Sequence, residues 1–293
     1  MNRTKSTNQF RLRMFVAILT FCGAMTIVAQ DEEPVQAYFT TADMPDMLRF
    51  LPAPPDTIGA LFTHDIMQYM WGKTMRLDPE RSAIAIRDAE YGLECIIREF
   101  SEPFGMQISF EDTPEIYRVL RDGTATCDSI CTFPKKYYMR KRPFIRFNEH
   151  TLTPDDEESL SKNGSYPSGH TILGWSAALL LSEINPDRAD TIMARGYMYG
   201  ESRVIVGAHW QSDVDAGRLV ASVAYAKLHT SEAFLEQMKK ARAEFAAKKG
   251  TVGMSPVEPA TQQNGQAYRV NGMPATDDTR GIVIQGNQKH LRK

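Results

Sequence analysis

Three short stretches carry residues whose types and spacing could handle a phosphoryl group. Lys135 to Pro143 reads KKYYMRKRP, in which six residues separate Lys135 from Arg142-Pro143. Pro167-Ser168-Gly169-His170 follows, and then SRVIVGAHWQSD, which places Ser202-Arg203 ahead of His209 and Asp213. A phosphoryl group bears a charge of about −1.5 to −2 and several strong acceptor oxygens. Holding it takes fixed donors of opposite sign. Lys135 offers a compact point charge, and Arg142 and Arg203 offer planar forks. Ser168-Gly169 at a helix start adds a hydroxyl and unpaired backbone N–H groups, and the missing side chain of Gly169 lets a ligand come close to the backbone.

Binding alone does not require two histidines, but transfer does. One imidazole can attack phosphorus while another protonates the departing alkoxide. His209 and Asp213 are four residues apart, so on a helical turn the carboxylate can hold the ring N–H, fix the tautomer and stabilise developing positive charge. This makes His209 the better nucleophile, Asp213 its orienting carboxylate and His170 the better general acid. Neither histidine role requires a metal, because the cationic trio offsets charge on the equatorial oxygens. Each stretch alone has a plainer explanation: a solvated basic face, a turn with a cap, and a surface i,i+4 pair. With eleven specified residues in order, coincidence becomes a poor account. His64, His150, His229 and His290 lack partners at useful spacing and read as surface or satisfied polar residues.

Positioning these groups falls to helices. Ile86, Ala89, Leu93, Ile96, Ile97 and Phe100 recur at three- and four-residue steps and predict one buried face. Thr113-Pro114-Glu115 marks a helix start, with Thr113 as N-cap and Pro114 at the first helical position. Thr171 to Ile184 is apolar almost all round, which predicts a central buried helix ended by Asn185-Pro186. Further helices are expected from Asp187 toward Ile205, from Gln211 to Leu228, and from Glu232 to Lys248 behind a Ser231 cap. No comparable series of alternating strands occurs. The expected fold is therefore an all-α, bundle-like single catalytic domain over residues 51–249.

The chain of 293 residues carries 34 basic and 36 acidic side chains, a net charge of −2. That balance lacks the cationic footprint of a protein that coats nucleic acid, and 24% charged residues exclude a polytopic membrane protein. At the N-terminus Arg3, Lys5, Arg11 and Arg13 precede an apolar run from Met14 to Ala29 and then Asp31-Glu32-Glu33. This is the pattern of a secretory signal peptide over residues 1–29. The expectation is a periplasmic or secreted protein with no integral membrane domain after cleavage. Export leaves Cys95, Cys127 and Cys131 in an oxidising compartment, an odd count that allows at most one internal bridge. Without His or further Cys at ligand spacing, Cys127 and Cys131 do not make a zinc site. Residues 30–50 read as a linker leading into the proline-rich Leu51–Asp56. From Gly250 the composition shifts toward Gly, Asn, Gln, Thr and Pro. The tail, 250–293, reads either as disordered or as a small hairpin, with turn signals at Asn271-Gly272 and Gly286-Asn287 and an apolar patch at Ile282-Val283-Ile284.

Taken together, the three stretches resemble the signature of the type 2 phosphatidic acid phosphatase superfamily, which includes vanadium haloperoxidases and the secreted bacterial class A non-specific acid phosphatases. SKNGSYPSGHT around Ser168 and GYMYGESRVIVGAHWQSDVDAGR around His209 look like the class A enzymes in particular. The resemblance extends from about Leu51 to Lys248. It implies a soluble, all-helical phosphomonoesterase with no metal or other cofactor, acting on small phosphomonoesters through a phosphohistidine. It implies His209 as nucleophile, Asp213 as its partner and His170 as the acid and later the base for water. Lys135, Arg142, Ser168, Gly169 and Arg203 would hold the phosphate. Class A enzymes often place a Cys in the segment before the nucleophile. This chain has Val206 there, so a disulfide from that region is not expected. The rival readings are a vanadate-dependent haloperoxidase-like enzyme, a soluble lipid or pyrophosphate phosphatase, and a non-catalytic phosphate-binding protein. Homo-oligomer formation stays open.

Overall fold

The computed structural model describes residues 34–55, 58–251, 267–269, 281–285 and 288–292. The expected signal peptide and the Asn271-Gly272 turn lie outside them. Val35–Lys293 cluster as one unit, apart from Met1–Pro34. In chain order the helices are α1 (Met47–Phe50), α2 (Ala60–Met75), α3 (Pro79–Arg87), α4 (Leu93–Phe104), α5 (Pro114–Ser129) and α6 (Thr132–Tyr138). They continue with α7 (Pro143–Phe147), α8 (Glu157–Ser161), α9 (Gly169–Ile184), α10 (Ala189–Val206), α11 (Gln211–Leu228) and α12 (Glu232–Thr251). None of the described helices is long and apolar enough to cross a membrane.

The apolar helix foreseen at Thr171 is α9, and it is the axis of the fold. α10, α11 and α5 pack along it, with α4 and α12 alongside. Small residues let α10 approach. A side-chain carbon on Gly196 would stand 2.5 Å from Ala178 Cβ, and one on Gly174 would stand 2.4 Å from the Tyr199 ring. The resulting core includes Ile172, Leu180 and Leu181 from α9, Val119 and Leu120 from α5, and Val220 from α11, all fully buried. Met44, Met47 and Leu51, at the margin of the expected linker, also pack into it.

Two local expectations change. The face expected from Ile86 to Phe100 is divided, because α3 stops at Arg87 and α4 starts at Leu93. The chain breaks there because Asp88 turns inward and is fully buried, accepting from Ser202 Oγ at 2.6 Å and from Arg195. Ile86 is left 44% exposed. Thr113 does precede α5, but its side chain makes no cap bond to that helix. Glu244 of α12 accepts the first free N–H groups instead, at 3.1 Å from Glu115 and 2.9 Å from Ile116. A carboxylate at a helix N-terminus answers both the unpaired donors and the dipole.

Beyond α12 the described backbone forms β1 (Ala267–Arg269), β2 (Gly281–Gln285) and β3 (Gln288–Arg292), an antiparallel sheet in that order. Gln285 pairs with Gln288 on either side of Gly286-Asn287. The apolar Ile282-Val283-Ile284 patch lies in β2. Cys95, Cys127 and Cys131 are all buried free thiols, with no bridge among them.

Close packing of α10 on α9 makes a prediction. In Gly196→Ala the new methyl meets a carbon fixed to the facing backbone, an overpacking cost of about 1–3 kcal/mol. The gain in helix propensity, about 1 kcal/mol, is smaller. The urea midpoint of the variant is expected to fall at an unchanged slope. An unchanged or raised midpoint would show that the two helices can part without cost.

Candidate active site

The site forms where four separate parts of the chain meet at the N-terminal end of α9. Ser168 is the N-cap of that helix, and its Oγ accepts from Thr171 N at 3.3 Å and Thr171 Oγ1 at 2.9 Å. Its own N–H donates to the Asp213 carbonyl at 2.9 Å, which ties the start of α9 to the start of α11. Gly169 is the first helical residue, so its N–H belongs to the unpaired set that a helix start presents to an anion.

His209 sits in the turn between α10 and α11. Gly207 ends α10 with φ +92°, a left-handed geometry that glycine adopts without steric cost. Ala208 N and His209 N both donate back to the Arg203 carbonyl, at 3.2 and 3.3 Å. The turn delivers a buried imidazole whose Nε2 is 3.0 Å from Arg142 Nη1 and whose Nδ1 is 3.3 Å from Asp213 Oδ2. A guanidinium can only donate, so Nε2 is the lone-pair nitrogen and Nδ1 carries the hydrogen. Burial, then the charges of Arg142, Lys135 and Arg203, hold this ring's pKa well below its ordinary value. The imidazole is therefore neutral.

The cations are locked in place from below. Arg142 donates through Nε to Leu160 O at 2.9 Å and through Nη1 to Ala208 O at 3.0 Å. The Gly164 carbonyl takes Arg142 Nη2 at 3.3 Å and Lys135 Nζ at 3.2 Å. Only glycine fits at 164, since a side-chain carbon there would be 2.4 Å from the Lys135 carbonyl. Arg203 is 1% exposed, and its Nε and Nη1 have no hydrogen-bond partner. Among the described residues no carboxylate stands in ion-pair range of Lys135, Arg142 or Arg203. Burial and mutual repulsion lower Lys135 to about 8 and Arg142 to about 10, and burial lowers Arg203 as well.

His170, on the first turn of α9, completes the set. Its Nε2 is 2.9 Å from the Ala89 carbonyl, which leaves Nδ1 as the nitrogen without that bond. The Tyr91 ring meets it edge-on at 4.7 Å. Burial, then Arg203, push its pKa well below the ordinary range. The cleft has two lobes that share Tyr91, Leu160 and His170. One, of about 460 Å³, is also lined by Lys135, Arg142, Gly169 and His209. The other, about 600 Å³, is also lined by Arg203.

The eight residues selected from sequence thus come together, and the structure adds others. Asp213 is fully buried and is held by Trp210 N at 2.9 Å and Arg140 Nη1 at 2.5 Å. Arg140 reaches on to Asp65 of α2 at 2.7 Å, and Asp65 also accepts from Ser212 N and Oγ at 2.8 and 2.6 Å. One guanidinium therefore pairs with two buried carboxylates. Its charge was visible within KKYYMRKRP, but a partner 75 residues away was not.

An all-helical body carrying this cleft at the start of its central helix is matched by a family model. Residues 123–232 match the PAP2 superfamily. The non-specific acid phosphatase of Providencia stuartii is 45% identical over 215 residues, 73% of this chain and 86% of that protein. Its counterpart from Salmonella typhimurium is 43% identical over 214 residues, 73% of this chain and 85% of that protein. The acid phosphatase of Zymomonas mobilis is 35% identical over 74% of this chain and 80% of its own length. The chain belongs to the PAP2 superfamily and, within it, to the bacterial class A non-specific acid phosphatases.

Arg140→Ala strands Asp65 and Asp213 without a countercharge. Breaking a buried pair from one side costs about 3–5 kcal/mol, so the variant should lose stability of that order in urea denaturation. A loss below about 1 kcal/mol would mean that Arg140 is not what holds these two carboxylates.

Proposed function

We propose that this acid phosphatase transfers the phosphoryl group of a small phosphomonoester to Nε2 of His209 and then hydrolyses the phosphohistidine, without a metal ion. The observation that carries the reading is Arg203. A buried guanidinium with two unpartnered nitrogens is costly unless an anion completes it, and it lines the cleft beside His170.

The steps follow from the chain's own groups. Lys135, Arg142, Arg203, the Ser168 hydroxyl and the Gly169 N–H hold the non-bridging oxygens. The Nε2 lone pair attacks phosphorus, the bond to the leaving oxygen breaks, and His170 gives that oxygen its proton. Asp213 steadies the positive charge that develops on the phosphorylated ring, acting through the Nδ1 hydrogen. Water then attacks phosphorus, His170 takes its proton, and the P–N bond breaks to release phosphate and the neutral His209. His170 needs a proton at the outset. Arg203 holds its pKa down, and the negative charge of a bound phosphomonoester opposes that field and raises its proton affinity. The cationic wall stabilises charge on the phosphoryl oxygens and repels a divalent ion.

The apolar run from Met14 to Ala29, with basic residues before it and acidic residues after it, supports export to the periplasm or beyond. The lobes of the cleft leave room for varied leaving groups, in keeping with small phosphomonoesters as substrates.

With p-nitrophenyl phosphate, His209→Ala is expected to abolish turnover while the far-UV circular dichroism stays that of the parent. Near-parental kcat in that variant would remove His209 from the chemistry. Arg203→Ala should lower kcat/KM by on the order of 10²-fold or more. An unchanged value would mean that Arg203 does not touch phosphate. Activity should survive EDTA, whereas loss restored by a divalent ion would overturn the metal-free reading.

A further inference from the structure

One half-buried carboxyl group stands inside the cationic cleft, and the chemistry above makes no use of it. Asp128, in the last turn of α5, lines the same lobe as Lys135, Gly169, His170 and His209. Its Oδ1 is 3.4 Å from where a side-chain carbon on Gly169 would stand, with the Tyr91 hydroxyl at 3.5 Å and Cys131 Sγ at 3.7 Å. The acid therefore flanks the helix start that offers its N–H groups to an anion. Tyr91 donates to Oδ2, and the Cys131 thiol approaches Oδ1 at 3.7 Å. Lys135 acts on it only through its field, because its hydrogen bond goes to Gly164.

A negative charge here opposes the ligand that the rest of the wall attracts. Two like charges about 6 Å apart, at an effective dielectric of about 20, weaken binding roughly a hundredfold. We propose that Asp128 is a proton-dependent phosphate ligand. As the carboxylic acid it donates its O–H to a phosphoryl oxygen at the Gly169 end of the cradle, and as the carboxylate it repels the dianion. This wall thereby restricts tight phosphate binding to acid solution. The inference deepens the proposed phosphatase mechanism and rests on it.

Among the groups facing this end of the cradle, Asp128 is the carboxyl whose ionisation adds a negative charge opposite the ligand. Burial raises its pKa above that of an ordinary aspartate, against the Tyr91 hydrogen bond and the Lys135 charge. Cys127 on its own helix, Cys131 before α6 and Tyr91 before α4 are all pushed upward by burial and stay neutral. Lys135 on α6 loses its charge only near 8, and His170 on α9 is held well below its ordinary value.

Sulfate, a dianion that does not itself titrate here, is the probe. Its inhibition constant against p-nitrophenyl phosphate is measured from pH 4 to 8. For the parent protein it should rise steeply as Asp128 ionises. For Asp128→Asn, whose amide donates at every pH, the rise should flatten, with sulfate binding at pH 7 at least about tenfold tighter than to the parent. Tyr91→Phe removes a donor from the carboxylate, so Asp128 should keep its proton longer and the rise should move to higher pH. Superimposable profiles for the parent and Asp128→Asn would overturn this inference alone while turnover continues. If sulfate fails to inhibit the parent at any pH, the phosphate reading of the cleft fails and this inference fails with it.

Discussion

The molecule is organised around an electrostatic problem: three cations and two imidazoles share one pocket out of water with almost no negative charge among them. Moving a charge from water into a protein interior costs several kcal/mol even after relaxation, and like charges at close range add to that cost. The chain offsets it with backbone carbonyls. Gly164, Leu160 and Ala208 turn their oxygens toward Arg142, and Gly164 also takes Lys135. Arg203 receives no such help at Nε and Nη1. In the proposed mechanism a phosphoryl dianion fills the remaining deficit, and the same arrangement supplies affinity and transition-state stabilisation.

The helical architecture follows from that requirement. A cradle assembled from residues more than 70 positions apart needs a rigid floor, and the mostly apolar α9 supplies one because neighbours bury most of its surface. Behind His209, Arg140 joins Asp65 of α2 to Asp213 of α11. Asp213 is thereby fixed by an arginine on one oxygen and by backbone on the other. A carboxylate so held keeps the Nδ1 hydrogen of His209 in place and leaves Nε2 without one, accepting from Arg142. The proposed mechanism needs this tautomer for attack on phosphorus.

Much of this was legible in the sequence, and the parts that were not share a cause. The eight candidate residues stood out because the chemistry expected of them calls for particular side chains at short spacings, as in His209 and Asp213 four apart. The buried helix was readable because its composition admits only one environment. Helix ends were less so. The break at Asp88 depends on Ser202 and Arg195, more than 100 residues away, and local periodicity runs straight through it. The expected Thr113 cap gives way to Glu244 for the same reason. Asp65 and Arg140 carried no local mark, since an aspartate on a helix and one base among several look like solvated surface until the fold pairs them. Asp128, next to Cys127, belongs to none of the three stretches.

The account turns on a covalent bond between phosphorus and Nε2 of His209. Rapid quenching of the parent protein with radiolabelled substrate into base, where phosphohistidine survives, followed by peptide mapping, tests it directly. The account predicts label on the peptide that contains His209, stable to alkali and released by acid, and none in His209→Ala. Label on another residue, or full turnover through a reaction that never holds phosphate on the protein, would contradict it.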